Sequence, residues 1–239
     1  MNSNKLSDFL LAFLLALLAP LARADVPGYT EPYKTITVSA AESGVIKDLP
    51  VDEGSIVKQG QILARLDVAQ LEAELDIAKI QADLQRIKVE RLDELARSQR
   101  AAKEELDRSR ADLKIRDAEI RKIQAAIETR TMRSPVNGVV TEIKRDLSEA
   151  VSLSSPHVLT VVQIDRLIVN LFLPPARAGK LKPGASAELL LNDTPQRVPA
   201  IVEFISPVID AASGTVRVKF VVDNTAGKVR SGVTASLAE

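Results

Sequence analysis

The chain has 239 residues, of which 46% are apolar, 27% charged and only 3% aromatic, with no tryptophan and no cysteine. Thirty-two basic residues balance thirty-two acidic ones, so no net field draws the chain to nucleic acid, for which a basic face is the expected footprint. The missing cysteines exclude disulfides, thiol nucleophiles and thiolate metal sites, and the scarcity of rings leaves Val, Ile, Leu and Ala to pack thin modules.

Residues 1–24 carry Lys5, an apolar run from Phe9 to Leu18 and then Ala22-Arg23-Ala24. This is the pattern of a secretory signal peptide, cut between Ala24 and Asp25; the run is shorter than the ~20 residues a spanning helix needs. The mature chain is therefore expected outside the cytoplasm, in a bacterial periplasm. Residues 25–38 read as an N-terminal segment. In residues 39–67 the stretch "SGVIKDLPVDEGSIVKQGQILARLD" (Ser43 to Asp67) reads as short strands joined by glycine turns at Gly54 and Gly60.

From 68 to 130 the pattern changes: these 63 residues hold no Gly or Pro and carry 14 Lys/Arg against 14 Asp/Glu. Leu71, Leu75, Ala78, Ala82, Gln85, Val89, Leu92 and Ala96 keep a 3-4 spacing, and Leu106, Leu113, Ile120 and Ile127 recur every seven, which are coiled-coil periods. One straight helix would run about 95 Å at 1.5 Å per residue. A turn near Arg97 to Ala102 predicts instead an antiparallel hairpin with arms of about 45 Å.

Residues 131–163 repeat the first motif. "NGVVTEIKRDLSEAVSLSSPHVLTVV" (Asn137 to Val162) lies in register with it, Gly138 over Gly44, Ile143 over Leu49 and Val151 over Val57. Each copy alone is too small to bury a face, so the two are expected to close into one β-sandwich around the inserted hairpin. Residues 164–239 then read as five short strands, at 167–173, 185–191, 197–206, 215–222 and 233–238, with a helical turn opened by Pro174-Pro175: a small β-barrel. The fold class is thus α+β.

Catalytic chemistry finds no foothold. His157, the one histidine, lies beside Ser154 and Ser155, but no Gly-x-Ser-x-Gly occurs, so it reads as a turn residue. After Met1 only Met132 remains as a soft ligand, and the acidic spacings on the hairpin lack the glycine-containing loop that organises a hard-cation site. No cofactor or metal is expected, and the chain reads as a non-enzyme.

This layout resembles the periplasmic adaptor subunits, or membrane fusion proteins of the HlyD type, of Gram-negative tripartite efflux systems. The family's split biotinyl-lipoyl domain is similar to "VSAAESGVIKDLPVDEGSIVKQGQILARLD" and "RSPVNGVVTEI", and its barrel to "LKPGASAEL" (Leu181 to Leu189) and "ISPVIDAASGTVRVKF" (Ile205 to Phe220). A lysine-modified carrier domain is excluded, because the helical insert occupies the place of the carrier hairpin.

The resemblance implies a hairpin whose tip meets a TolC-like outer-membrane channel, with the other domains ringed, as a hexamer, around an inner-membrane transporter. The family marks the channel contact with an arginine, a leucine and a serine. Arg91 and Leu95 fall on the first two positions and Ala102 on the third, where this chain departs from the pattern. Gly44, Gly54, Gly60 and Gly138 are expected to shape the turns. The family's arginine before its "TVRV" strand is replaced around Ser213-Gly214-Thr215. Too little sequence flanks the matched domains for the membrane-proximal domain of many members, so the transporter contact is expected on the barrel or a partner subunit. The implied transporter is a proton-driven pump of the resistance-nodulation-division (RND) type. An ATP-driven exporter or type I secretion system stands second, and a structural envelope-bridging protein without a pump third.

Overall fold

The computed structural model describes residues 27–98, 103–192 and 196–238. The expected signal peptide and Ala102 lie outside these residues. The described residues form two compact units, one of Pro32–Asp165 and the other of residues 27–31 with 166–238.

In the first unit the repeated motif folds into β2 (Gly44–Asp48), β3 (Ile56–Val57) and β4 (Ile62–Leu66), and then into β6 (Gly138–Ile143), β7 (Ala150–Val151) and the start of β8 (His157–Leu173). The copies exchange strands. β3 of the first pairs with β6 of the second, Ile56 beside Val139 and Val57 beside Gly138, while β7 of the second pairs with β2 of the first, Val45 beside Ala150 and Gly44 beside Val151. Backbone hydrogen bonds repeat the exchange. The Gly54 amide donates to the Val140 carbonyl and the Ser148 amide to the Ile46 carbonyl, both at 2.8 Å, and Val140 and Ile46 donate back to Ser55 and Glu149.

Neither half can satisfy its backbone or cover its apolar face without the other. The shared core of Ile46, Leu63, Leu66, Val140, Val158 and Leu159, each at most 1% exposed, is worth about 1.5–3 kcal/mol per side chain of this size. It is assembled only when both halves meet. A short strand, β5 (Thr131–Arg133), pairs with β4 where the chain re-enters the sandwich.

Between the halves stand α1 (Ala69–Arg97) and α2 (Lys103–Thr129). The Asp67 carboxylate accepts the Ala69 amide at 3.0 Å, satisfying one of the donors that open α1.

The second unit is a closed antiparallel barrel. β9 (Ser186–Leu191), β10 (Gln196–Ile209), β11 (Val216–Asp223) and β12 (Thr234–Leu237) join the later part of β8 and the beginning of β1 (Gly28–Ser39) in the order β1-β12-β9-β10-β11-β8, and β1 also pairs with β8. The expected five strands thus become six: what read as an N-terminal segment carries β1. Leu167, Val169, Leu171 and Leu173 alternate into the barrel interior against Leu189, Val202, Val218 and Phe220.

Closure depends on close approach. A Cβ on Gly28 would stand 2.1 Å from the Asn170 carbonyl oxygen. Thr30, 1% exposed, fastens β1 by donating its hydroxyl to the Arg230 carbonyl at 2.8 Å and accepting the Val233 amide at 2.9 Å. The proline-opened turn is α3 (Pro175–Ala178).

Candidate partner interface

The hairpin follows from its heptads. α1 spans 29 residues and α2 spans 27, so the arms are about 44 and 40 Å long. Ala78, Ala82 and Leu92 of α1 and Leu106, Ser109 and Ile123 of α2 are buried along the seam. Small seam residues bring the helices close but remove little apolar surface from water. Polar contacts therefore set the register. The Gln85 amide nitrogen donates to both the carbonyl and the hydroxyl oxygen of Ser109, each at 2.9 Å, and Arg116 donates to the Gln81 side-chain oxygen at 3.0 Å.

Nearer the turn, Asp93 accepts from Arg97 of its own helix and from Arg110 of α2, both at 2.7 Å. Sequence reasoning did not single out Asp93; the available signal was an acid placed to meet a base across the expected turn. Arg91 and Leu95, four residues apart, share one face of α1. Arg91 is exposed and Leu95 is 41% exposed, whereas Leu92 between them is buried. The structure brings the two together on a surface directed away from the seam, in the last turns before the hairpin reverses. Ala102, the third expected contact, lies outside the described residues.

The four expected turn glycines separate into two kinds. Gly54 (φ 88°) and Gly60 (φ 83°) adopt left-handed backbone, which glycine reaches without a Cβ clash. Gly44 and Gly138 are not turn residues: they open β2 and β6. At Gly138 the requirement is room, since a Cβ would lie 2.3 Å from the Val162 carbonyl oxygen, and at Gly44 it would meet the Leu66 side chain at 3.2 Å. The second copy replaces Gly54 with Ser148, which holds the same left-handed conformation at φ 69°.

Side chains stabilise these turns in matching ways. In the first copy the Asp52 amide donates to the Ser55 hydroxyl at 3.0 Å; in the second the Asp146 amide donates to the Glu149 carboxylate at 3.0 Å. That bond, together with the Arg145 guanidinium, holds the Glu149 carboxyl below the ordinary glutamate value. Arg133 does the same for Glu128 at the base of the hairpin. His157 is half-buried with Nε2 3.1 Å from the Thr160 hydroxyl. Among the described residues no group of three or more His, Cys, Asp or Glu could hold a metal ion, and no helix is long and apolar enough to cross a membrane.

A strand-exchanged lipoyl-type sandwich interrupted by a coiled-coil hairpin, accompanied by a small closed barrel, defines the class of membrane fusion proteins. Residues 34–163 match the barrel-sandwich hybrid domain of RND membrane fusion proteins and residues 169–238 the CusB-like beta-barrel domain, so the chain belongs to the RND membrane fusion protein family.

Its curated relatives include the nodulation protein NolF of Rhizobium meliloti, 29% identical over 87% of this chain and 60% of that protein. The antibiotic efflux pump periplasmic linker ArpA of Pseudomonas putida is 26% identical over 84% of this chain and 56% of that one. The macrolide export protein MacA of Yersinia pestis is 25% identical over 88% and 66%. The chain spans about 60% of the length of these relatives. Among solved structures, a MacA-MexA chimera carrying the Pseudomonas aeruginosa MexA α-hairpin superposes with a TM-score of 0.74 at 21% identity, covering 89% of this chain and 78% of the other. The membrane fusion protein Spr0693 of Streptococcus pneumoniae gives 0.70 at 17%, covering 90% and 100%.

Proposed function

We propose that this protein is a non-enzymatic periplasmic adaptor that joins an inner-membrane transporter, of the RND type, to a TolC-like outer-membrane channel. The observation that carries the reading is the exposed Arg91–Leu95 face near the hairpin turn, on a chain whose sandwich and barrel both match RND membrane fusion domains. In this reading the hairpin is the channel-facing arm, and the sandwich and barrel serve the transporter. Several copies, six by family likeness, build the conduit, and the transporter supplies the energy. The curated relatives called periplasmic linkers support the compartment. The likeness to macrolide export proteins favours an adaptor for another class of exporter as the second reading.

The test replaces Arg91 and Leu95 together with Ala in a strain lacking the chromosomal copy. Because both side chains are outside the seam, the helical content and melting temperature are expected to stay unchanged. Growth on a panel of toxic compounds should fall to that of the deletion strain. Full resistance from the double variant, in a strain where the parent protein confers it, would remove the tip assignment.

A further inference from the structure

The sandwich has an open side. One of its sheets ends there in β5 and the other in β1, and a cleft of about 300 Å³ runs between the two strands. Ile36, Val38 and Ser39 line one wall and Thr131, Met132 and Arg133 the other. Val38 and Met132, both buried, make the floor.

Both walls are strand edges. β12 and the residue before it meet β1 at Gly28, Tyr29 and Thr30. Further along, among the described residues, Ile36 to Ser39 have β8 on one side and no strand on the other, and β5 pairs with β4 alone. On β5 the Arg130 carbonyl accepts the Leu66 amide at 3.0 Å and the Ser134 amide donates to the Gln61 carbonyl at 2.9 Å. Alternation along the strand then turns the backbone N–H and C=O of Thr131 and Arg133 away from β4. On β1 the Ala40 amide donates to the Pro156 carbonyl at 2.8 Å, so Thr37 and Ser39 turn theirs away from β8.

The side chains of the β5 wall are already committed. The Arg133 guanidinium donates to the Glu128 carboxylate at 2.6 and 3.2 Å and to the Gly60 carbonyl at 3.1 Å. The Thr131 hydroxyl donates back to the Ile127 carbonyl at 3.1 Å, and that of Thr129, at the end of α2, to the Ala125 carbonyl at 2.9 Å. What the cleft offers a ligand is therefore two facing rows of backbone donors and acceptors over an apolar floor.

We propose that this cleft takes an extended segment of another polypeptide as an added strand, hydrogen-bonded to β1 and β5 at once. Unpaired strand edges recognise a backbone, and strand addition is how an exposed sheet edge binds a peptide. One free edge would admit the edge of any sheet, including that of a second copy; two edges facing each other admit a lone strand. The three residues of β5 and the facing stretch of β1 match a segment of about 10–13 Å. Its side chains alternate, apolar where they meet Val38 and Met132 and polar where they face water. Because Arg133, the charged residue of the lining, is neutralised by Glu128, the centre of the segment is uncharged. This goes beyond the adaptor reading and does not depend on it.

The test selects a random heptapeptide library on the full-length protein and titrates the most enriched peptide by calorimetry. A peptide of alternating apolar and polar residues is expected. Thr37→Pro and Thr131→Pro each remove one amide that faces the cleft and no bond within a sheet, a position at which an edge strand accepts proline. Each should weaken binding at least tenfold, whereas Thr37→Ala and Thr131→Ala, which keep the amide, should stay within about twofold of the parent. The same peptide methylated at its central backbone nitrogens should lose binding to the unaltered protein, a result that does not rely on the proline variants folding. No enriched peptide, or one whose affinity survives backbone methylation, would overturn the added strand. So would a peptide that binds folded proline variants as tightly as the parent, since the cleft would then be reading side chains.

Discussion

The two repeat turns give a quantitative test of the strand-exchanged sandwich. Gly54 and Ser148 hold equivalent left-handed positions, at φ 88° and 69°, and each donates its amide to the opposite half. A left-handed residue with a Cβ costs about 1–2 kcal/mol, and glycine costs about 0.5–1 kcal/mol in lost chain freedom. Ser148→Gly should therefore stabilise the unit by about 0.5–1 kcal/mol. Gly54→Ser should destabilise it by a similar amount, and the swapped double variant should lie within about 0.5 kcal/mol of the parent if the sites are independent. Urea unfolding followed by far-UV circular dichroism suits the question, because the hairpin belongs to the same unit and the chain has no tryptophan to report by fluorescence. A destabilising Ser148→Gly, or a swap that costs more than about 1 kcal/mol, would refute the claim that the turns are energetically equivalent.

Other consequences follow from single contacts. Gly138→Ala and Gly28→Ala each drive a Cβ into a backbone carbonyl, so each should lose about 3 kcal/mol or more, at the upper end of overpacking costs, measured as a depressed melting temperature. Asp93→Ala removes two exposed ion pairs near the hairpin turn, worth about 0.2–1 kcal/mol each; amide exchange at the end of α1 should quicken while global stability changes little. Glu149 has a folded pKa below its ordinary 4.5, so its contribution is complete at neutral pH and is lost as pH falls through and below that value. Glu149→Gln should flatten the acid limb of the stability profile, and an unchanged limb would show that the turn does not depend on that carboxylate.

The helical hairpin was legible because a 3-4 period without Gly or Pro admits little else, and the seam residues Leu71, Leu75, Ala78, Ala82, Gln85, Val89, Leu92 and Ala96 are all buried or half-buried. The two-part sandwich was legible from the repeat, but the strand exchange was not, since pairing between halves leaves no local pattern. β1 is hidden in the sequence because Pro32, a residue that argues against a strand, lies within it and its inward residue Thr30 is polar, a hydroxyl that acts as a backbone fastener. Ser148 concealed a turn that glycine would have announced. At the tip, helical phase alone places Arg91 and Leu95 on one face. What meets that face depends on a surface belonging to another molecule.

In-cell photo-crosslinking from Ala102 and from Ser213, with captured proteins identified by mass spectrometry, tests the adaptor reading most directly. The account predicts an outer-membrane channel at the first position and an inner-membrane transporter at the second. Capture of neither, from protein present in the periplasm at normal levels, would contradict it and leave the family likeness as one of fold.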